Sequence, residues 1–100
     1  MSDLQLSIVT PEGKAFEGSV ATVVAPGIQG SFGVLRQHAP LISALETGIL
    51  HATTAGGDSH YFVLHDGFVQ VRDDTIVVLA NRAEEFASAD EAKVRLKAMA

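Results

Sequence analysis

Apolar and polar side chains alternate near the start of the chain: Leu4, Leu6 and Ile8 are separated by Gln5 and Ser7. A period of two puts one set on a buried face and the other toward solvent, which is the pattern of a β-strand and not of a helix. The pattern returns in short runs, and turn residues interrupt it roughly every eight to twelve positions. Pro11-Glu12-Gly13 closes the first run. Residues 15–25 are rich in small and β-branched types, with a break at Gly18-Ser19 that reads as a strand boundary or a bulge. Residues 41–45 and 49–54 follow, parted by Thr47-Gly48. Ala55-Gly56-Gly57-Asp58 joins the latter to residues 59–65 as a hairpin. Asp66-Gly67 turns or bulges into residues 68–71, and Arg72-Asp73-Asp74 turns into residues 75–80.

Seven to nine short strands at this spacing favour an all-β sandwich or barrel. The expected fold is an all-β sandwich of about eight to ten short strands followed by a short C-terminal α-helix. No helical pattern lies between the strands, so parallel crossovers are not expected. Residues 76–80 are apolar on both parities, so that strand is expected to be covered on both faces, by the core on one and by a helix or a partner on the other. The character changes near Ala83. Ser88-Ala89-Asp90-Glu91 is a capping box, followed by Ala92, Leu96 and Met99 or Ala100 on one helical face. Lys93, Arg95 and Lys97 lie late in the segment, where cations suit the helix dipole. A helix of about eleven residues is marginal alone, so it must pack on something or continue in a longer chain. The division is a sandwich over residues 1–84 and a helical segment over 85–100.

The net charge of −5 argues against nucleic acid, whose binders carry a basic face, and against an anionic membrane surface. The absence of cysteine removes disulfides and thiolate ligands. Met1-Ser2-Asp3-Leu4 lacks the basic start and apolar run of a signal peptide, and no stretch reaches the roughly 18 apolar residues of a membrane span. A soluble cytosolic protein without membrane insertion is expected.

Candidate chemistry is thin. A turn centred on Gly56-Gly57 would put His51 and His60 on one sheet face, with His65 opposite. Two histidines fall short of the three or four protein ligands zinc takes, so no metal is expected. Ser31, His38 and Asp66 could compose a triad, but no G-x-S-x-G elbow accompanies them. Gly27-Ile28-Gln29-Gly30-Ser31-Phe32-Gly33 matches neither phosphate-loop pattern, so no cofactor is expected and its glycines are assigned to turns and bulges. Residues 27–40 still carry more glycine, proline and apolar groups than a plain connection. They read either as an Ω-loop packed by its own side chains or as a tip presenting Phe32, Arg36 and His38 to a partner.

An ordered set of residues then carries a resemblance. Val9-Thr10-Pro11-Glu12-Gly13, Phe16-Glu17-Gly18, Pro26-Gly27, Gly30, Gly33, His38-Ala39-Pro40-Leu41, Leu45, Gly48-Ile49-Leu50, Gly67-Phe68-Val69 and Val77-Val78-Leu79-Ala80 succeed one another with matching spacings. Over residues 4–83 the chain resembles the N-terminal β-sandwich of the epsilon subunit of F-type ATP synthase. The resemblance implies a non-catalytic rotor subunit of the central stalk. Such a subunit binds the gamma subunit and the c-ring and couples proton-driven rotation to ATP synthesis. It lies peripherally on the cytoplasmic side of the inner (plasma) membrane.

Carried over by position, the c-ring-facing loop comprises Gly27, Gln29, Gly30, Ser31, Gly33, Arg36, His38, Ala39 and Pro40. The gamma-facing patch comprises Ala15, Ile42 and Phe68, since exposed apolar surface marks interfaces. Gln29 and Ser31 stand where the family often has acids, and Arg36-Gln37 where it often has Pro-Gly, so Arg36 would reverse the local charge. The family's inhibitory helical hairpin needs several dozen residues. Only 17 follow Ala83, so inhibition of that kind is not expected. A free-standing carbohydrate module, which would present stacking aromatics, is disfavoured by a chain with no Trp and one Tyr. A small hydrolase using His38 is the remaining alternative.

Overall fold

A computed structural model describes residues 3–99; the expectations for Met1, Ser2 and Ala100 lie outside them. Eight strands precede one helix: β1 (Leu4–Thr10), β2 (Gly13–Val20), β3 (Thr22–Gly27), β4 (Gly30–Val34), β5 (Leu41–Leu45), β6 (Gly48–Thr53), β7 (Ser59–Arg72), β8 (Thr75–Phe86) and α1 (Ala89–Ala98). The all-β sandwich with a short C-terminal helix is therefore observed.

The strands run in the order β2-β1-β8-β7-β5-β3-β4, and β6 pairs with both β3 and β7. The long β7–β8 hairpin supplies both layers. Residues 67–71 of β7 pair with β5, whereas residues 59–64 pair with β6. The buried parity changes between these halves. Phe62 and Leu64 face the core in the first half, and Val69 and Val71 in the second. The change falls at Asp66-Gly67, where Asp66 takes a left-handed φ of 43°. Gly67 is required there, because a Cβ would overlap the Leu79 carbonyl oxygen and lie 2.9 Å from Ala80 Cα. The sandwich core then joins Leu4, Leu6, Ile8, Ile76 and Val78 from one layer to Val23, Leu50, Phe62 and Leu64 from the other. Each such fully buried side chain contributes roughly 1.5–3 kcal/mol relative to exposure.

Several expectations need correction. The break in residues 15–25 lies at Ala21, not at Gly18-Ser19, and the bulge sits where the β1–β2 register shifts between Ile8 and Val9. A parallel pair does occur: β1 runs alongside β8, from Gln5 opposite Thr75 to Val9 opposite Leu79. It needs no crossover helix because the rest of the sandwich is the connection. Residues 27–40 are not one loop. Gly30–Val34 form β4, which pairs with β3 through a turn at Ile28-Gln29. Residues 76–80 face the core on one side, and Leu79 is 53% exposed on the other, the side left to a helix or a partner. His51 and His60 occupy opposite faces, because Ala52 opposes His60 and His51 opposes Tyr61. The β6–β7 loop is centred on Gly56 alone, and half a residue of displacement exchanges the faces.

The helix forms as its cap dictates. Ser88 Oγ accepts from the Glu91 amide at 3.2 Å, and Glu91 Oε1 accepts from the Ala87 amide at 3.2 Å, one residue earlier than the usual box. Ala92 is fully buried, and α1 packs on β6, β7 and β8. Arg95 Nε on α1 donates to Glu84 Oε1 at 2.9 Å, and Arg82 and His65 approach the same carboxylate at 3.5 and 3.6 Å. The Arg95 hydrogen bond holds the Glu84 carboxyl below its ordinary pKa, with Arg82 adding to the effect and partial burial opposing it.

Candidate protein-docking surface

Register determines which side chains share the outer face of the first layer. One row runs Ala44, Phe68, Leu79 and Val9 across β5, β7, β8 and β1. The next row runs Ile42, Gln70, Val77 and Ser7. None of the eight side chains is charged. Ile42 is 74% exposed and Phe68 58% exposed, although both are large and apolar. Charges stand at the margin: Arg72 beside Asp73 at one end, and the Lys14–Glu17 ion pair of 2.9 Å on edge strand β2. An apolar centre with a charged rim is the anatomy of a protein interface.

Two depressions flank this face. One is lined by Val9, Pro11, Phe68 and Leu79, beside the close approach of Gly67 to β8. The other is a groove between the β3–β4 turn and β5, lined by Gln29, Gly30, Ser31, Phe32, His38 and Ile42. The turn is held over β5 by the Ile28 amide donating to the Ala44 carbonyl at 3.2 Å and the Glu46 amide donating to the Pro26 carbonyl at 2.9 Å. Gly27 permits this close fold, since a Cβ there would meet the Gly30 carbonyl at 2.8 Å and the Phe32 ring at 3.0 Å.

The sequence-nominated residues therefore divide. Ile42 and Phe68 share the apolar face. Ala15 is the extra residue of the β2 bulge, between Lys14 and Phe16 and across β1 from Leu79. Gly27, Gln29, Gly30, Ser31 and His38 meet at the groove. His38 Nδ1 donates to the Ala39 carbonyl at 2.7 Å. Gly33 and Ala39 are exposed elsewhere, and Pro40 lies beside Ile42, Gln70 and Arg72. Arg36 is exposed in the connection after β4, which the Gln37 amide ties to Asp74 Oδ1 at 2.6 Å. Phe32 does not point outward: its ring is half-buried against the core.

Leu79, Val77, Val9 and Gln70 were missed as face residues. The double-parity apolar run of residues 76–80 signals Leu79 and Val77, whereas Val9 and Gln70 join the face only through register. Among the described residues, no group of three or more metal-ligating side chains is present, and no helix is long and apolar enough to cross a membrane.

The architecture is that of a β-sandwich module with one uncovered apolar face. The sequence model of the ATP synthase delta/epsilon chain beta-sandwich domain matches residues 3–86, and the chain belongs to that family. An ATP synthase epsilon chain of Dehalococcoides mccartyi is 45% identical over 98% of this chain and 73% of its own length. One from Pelotomaculum thermopropionicum is 44% identical over 89% of this chain and 66% of its own. Among solved structures, a chain of the Euglena gracilis mitochondrial ATP synthase (OSCP/F1/c-ring) shares the fold with a TM-score of 0.82 at 24% identity. It covers 99% of this chain, which spans 62% of it.

Proposed function

We propose that this chain is a non-catalytic central-stalk subunit of an F-type ATP synthase, coupling c-ring rotation to ATP synthesis. The observation that carries the reading is the uncharged apolar face around Ile42 and Phe68, ringed by charges. In this reading the gamma subunit covers that face, with Ala15 at its β2 margin. The groove holding Gln29, Ser31 and His38 meets the polar loops of the c-ring, and Gly33, Arg36, Ala39 and Pro40 extend that contact. Ile42 belongs to both surfaces, so the two partners would abut. The complex would hold the chain peripherally on the cytoplasmic side of the inner membrane. Residues 1–84 act as the docking module, and residues 85–100 as a helical piece fastened through Glu84 and Arg95. Similarity to the ATP synthase epsilon chains of Dehalococcoides mccartyi and Pelotomaculum thermopropionicum supports this reading.

The test is binding of the purified chain to its gamma subunit by calorimetry. Ile42→Glu and Phe68→Glu place a charge where gamma would remove water. Both are exposed, so folding is preserved while affinity falls at least tenfold. Unchanged affinity in both variants would end the proposal.

A further inference from the structure

Gln70 is unlike its neighbours. It lies in register between Ile42 on β5 and Val77 on β8, next to Phe68 on its own strand. It is exposed, and its side-chain amide makes no hydrogen bond among the described residues. A partner that covers Ile42 and Phe68 must also cover Gln70 and strip its water. A buried amide left without partners carries a desolvation penalty comparable to a lost hydrogen bond or more. Ile42, Phe68, Val77 and Leu79 around Gln70 carry no charge; Lys14 and Glu17 stand on edge strand β2, and Arg72, two residues along β7, already faces Asp73 at 3.6 Å. A charged group placed there would itself be buried without a counter-ion.

We infer that the docked segment of the partner is uncharged at this point and sets a peptide group or side-chain amide against Gln70. Gln70 thereby fixes the register of the docked segment, while Ile42, Phe68 and Leu79 supply affinity. The occupant follows from charge matching: a neutral, mostly apolar segment with one hydrogen-bonding group, carried by the gamma subunit. This rests on the docking reading above.

Phe68→Ala, Gln70→Leu and Gln70→Glu test it in calorimetric titrations with the gamma subunit, after thermal melts establish that each is folded. Phe68→Ala is expected to weaken binding at least tenfold. Gln70→Leu adds apolar area yet should weaken it five- to tenfold, because the partner's polar group loses its mate. Gln70→Glu should weaken it further, because the carboxylate would be buried without a counter-ion. If Gln70→Leu binds as tightly as the unaltered chain while Phe68→Ala does not, the register role is wrong and the docking reading stands. If Phe68→Ala also binds normally, the docking reading falls with it. Sedimentation of the free chain supplies the last check. A dimer dissolved by Ile42→Glu would make a second copy the occupant and overturn the inference.

Discussion

Gly67→Ala is the sharpest test of how this sandwich is built. The position lies where β7 passes from pairing with β6 to pairing with β5. A Cβ there would overlap the Leu79 carbonyl oxygen and stand 2.9 Å from Ala80 Cα and 3.0 Å from the Leu79 carbonyl carbon. All three atoms are backbone, so no side chain can rotate away. To restore a separation near 3.5 Å, β8 must withdraw by on the order of 1 Å. That strains the ladder around the Gly67–Ala80 pair and loosens Val78 and Val69 beneath it. Two weakened backbone hydrogen bonds at about 1 kcal/mol each, plus overpacking of about 1–3 kcal/mol, give a loss of roughly 3–5 kcal/mol. A domain of this size has about 5–15 kcal/mol in total. At about 4–8 °C per kcal/mol, the melting temperature falls by at least roughly 12 °C. Urea unfolding followed by circular dichroism measures the loss. Gly33→Ala is the control, because its nearest neighbour would be the Val23 carbonyl at an unstrained 3.9 Å. If Gly67→Ala stays within about 1 kcal/mol of the parent, the argument from backbone approach is refuted.

The remaining predictions concern the helix and the groove. Ser88→Ala removes the cap acceptor of the Glu91 amide and should cost about 1 kcal/mol, read as lost 222 nm ellipticity and faster exchange of the α1 amides. Glu84 has a lowered folded-state pKa, so its contribution is complete above the unfolded carboxylate value near 4.3 and fades as pH falls through the lower folded one. Glu84→Gln should therefore lower stability by about 1 kcal/mol at pH 7 and flatten its acid dependence below about pH 4.5; a parallel decline in both proteins would contradict this. Gly27→Ala forces the Phe32 ring and the Gly30 carbonyl apart. It should cost about 1–3 kcal/mol and weaken c-ring binding while sparing affinity for gamma.

Much of the fold is written locally. The alternation of Leu4, Leu6 and Ile8, the Asp73-Asp74 turn and the Ser88–Glu91 cap all act within a few residues, and all are observed. What stayed hidden depends on distant partners. β4 carries two glycines in five residues and has little strand character of its own. It exists because β3 offers it a ladder. The parity change at Asp66-Gly67 is visible only once β5 and β6 are known to share one strand. The candidate site divides the same way. Ile42 and Phe68 could be nominated singly, but their joining with Gln70 and Leu79 into one face depends on register across β5, β7 and β8.

The parallel pairing of β1 with β8 also sets an order of events. Gln5 meets Ser19 across 14 residues but Thr75 across 70. By loop-closure entropy the longer contact costs roughly 1.4 kcal/mol more to form. The β1–β2 hairpin is therefore expected to assemble early and wait as a unit. It can seat against β8 only after residues 75–79 have left the ribosome. Until then the β1 edge that will meet β8 stays open, an unpaired strand edge of the kind that exposes folding intermediates to association.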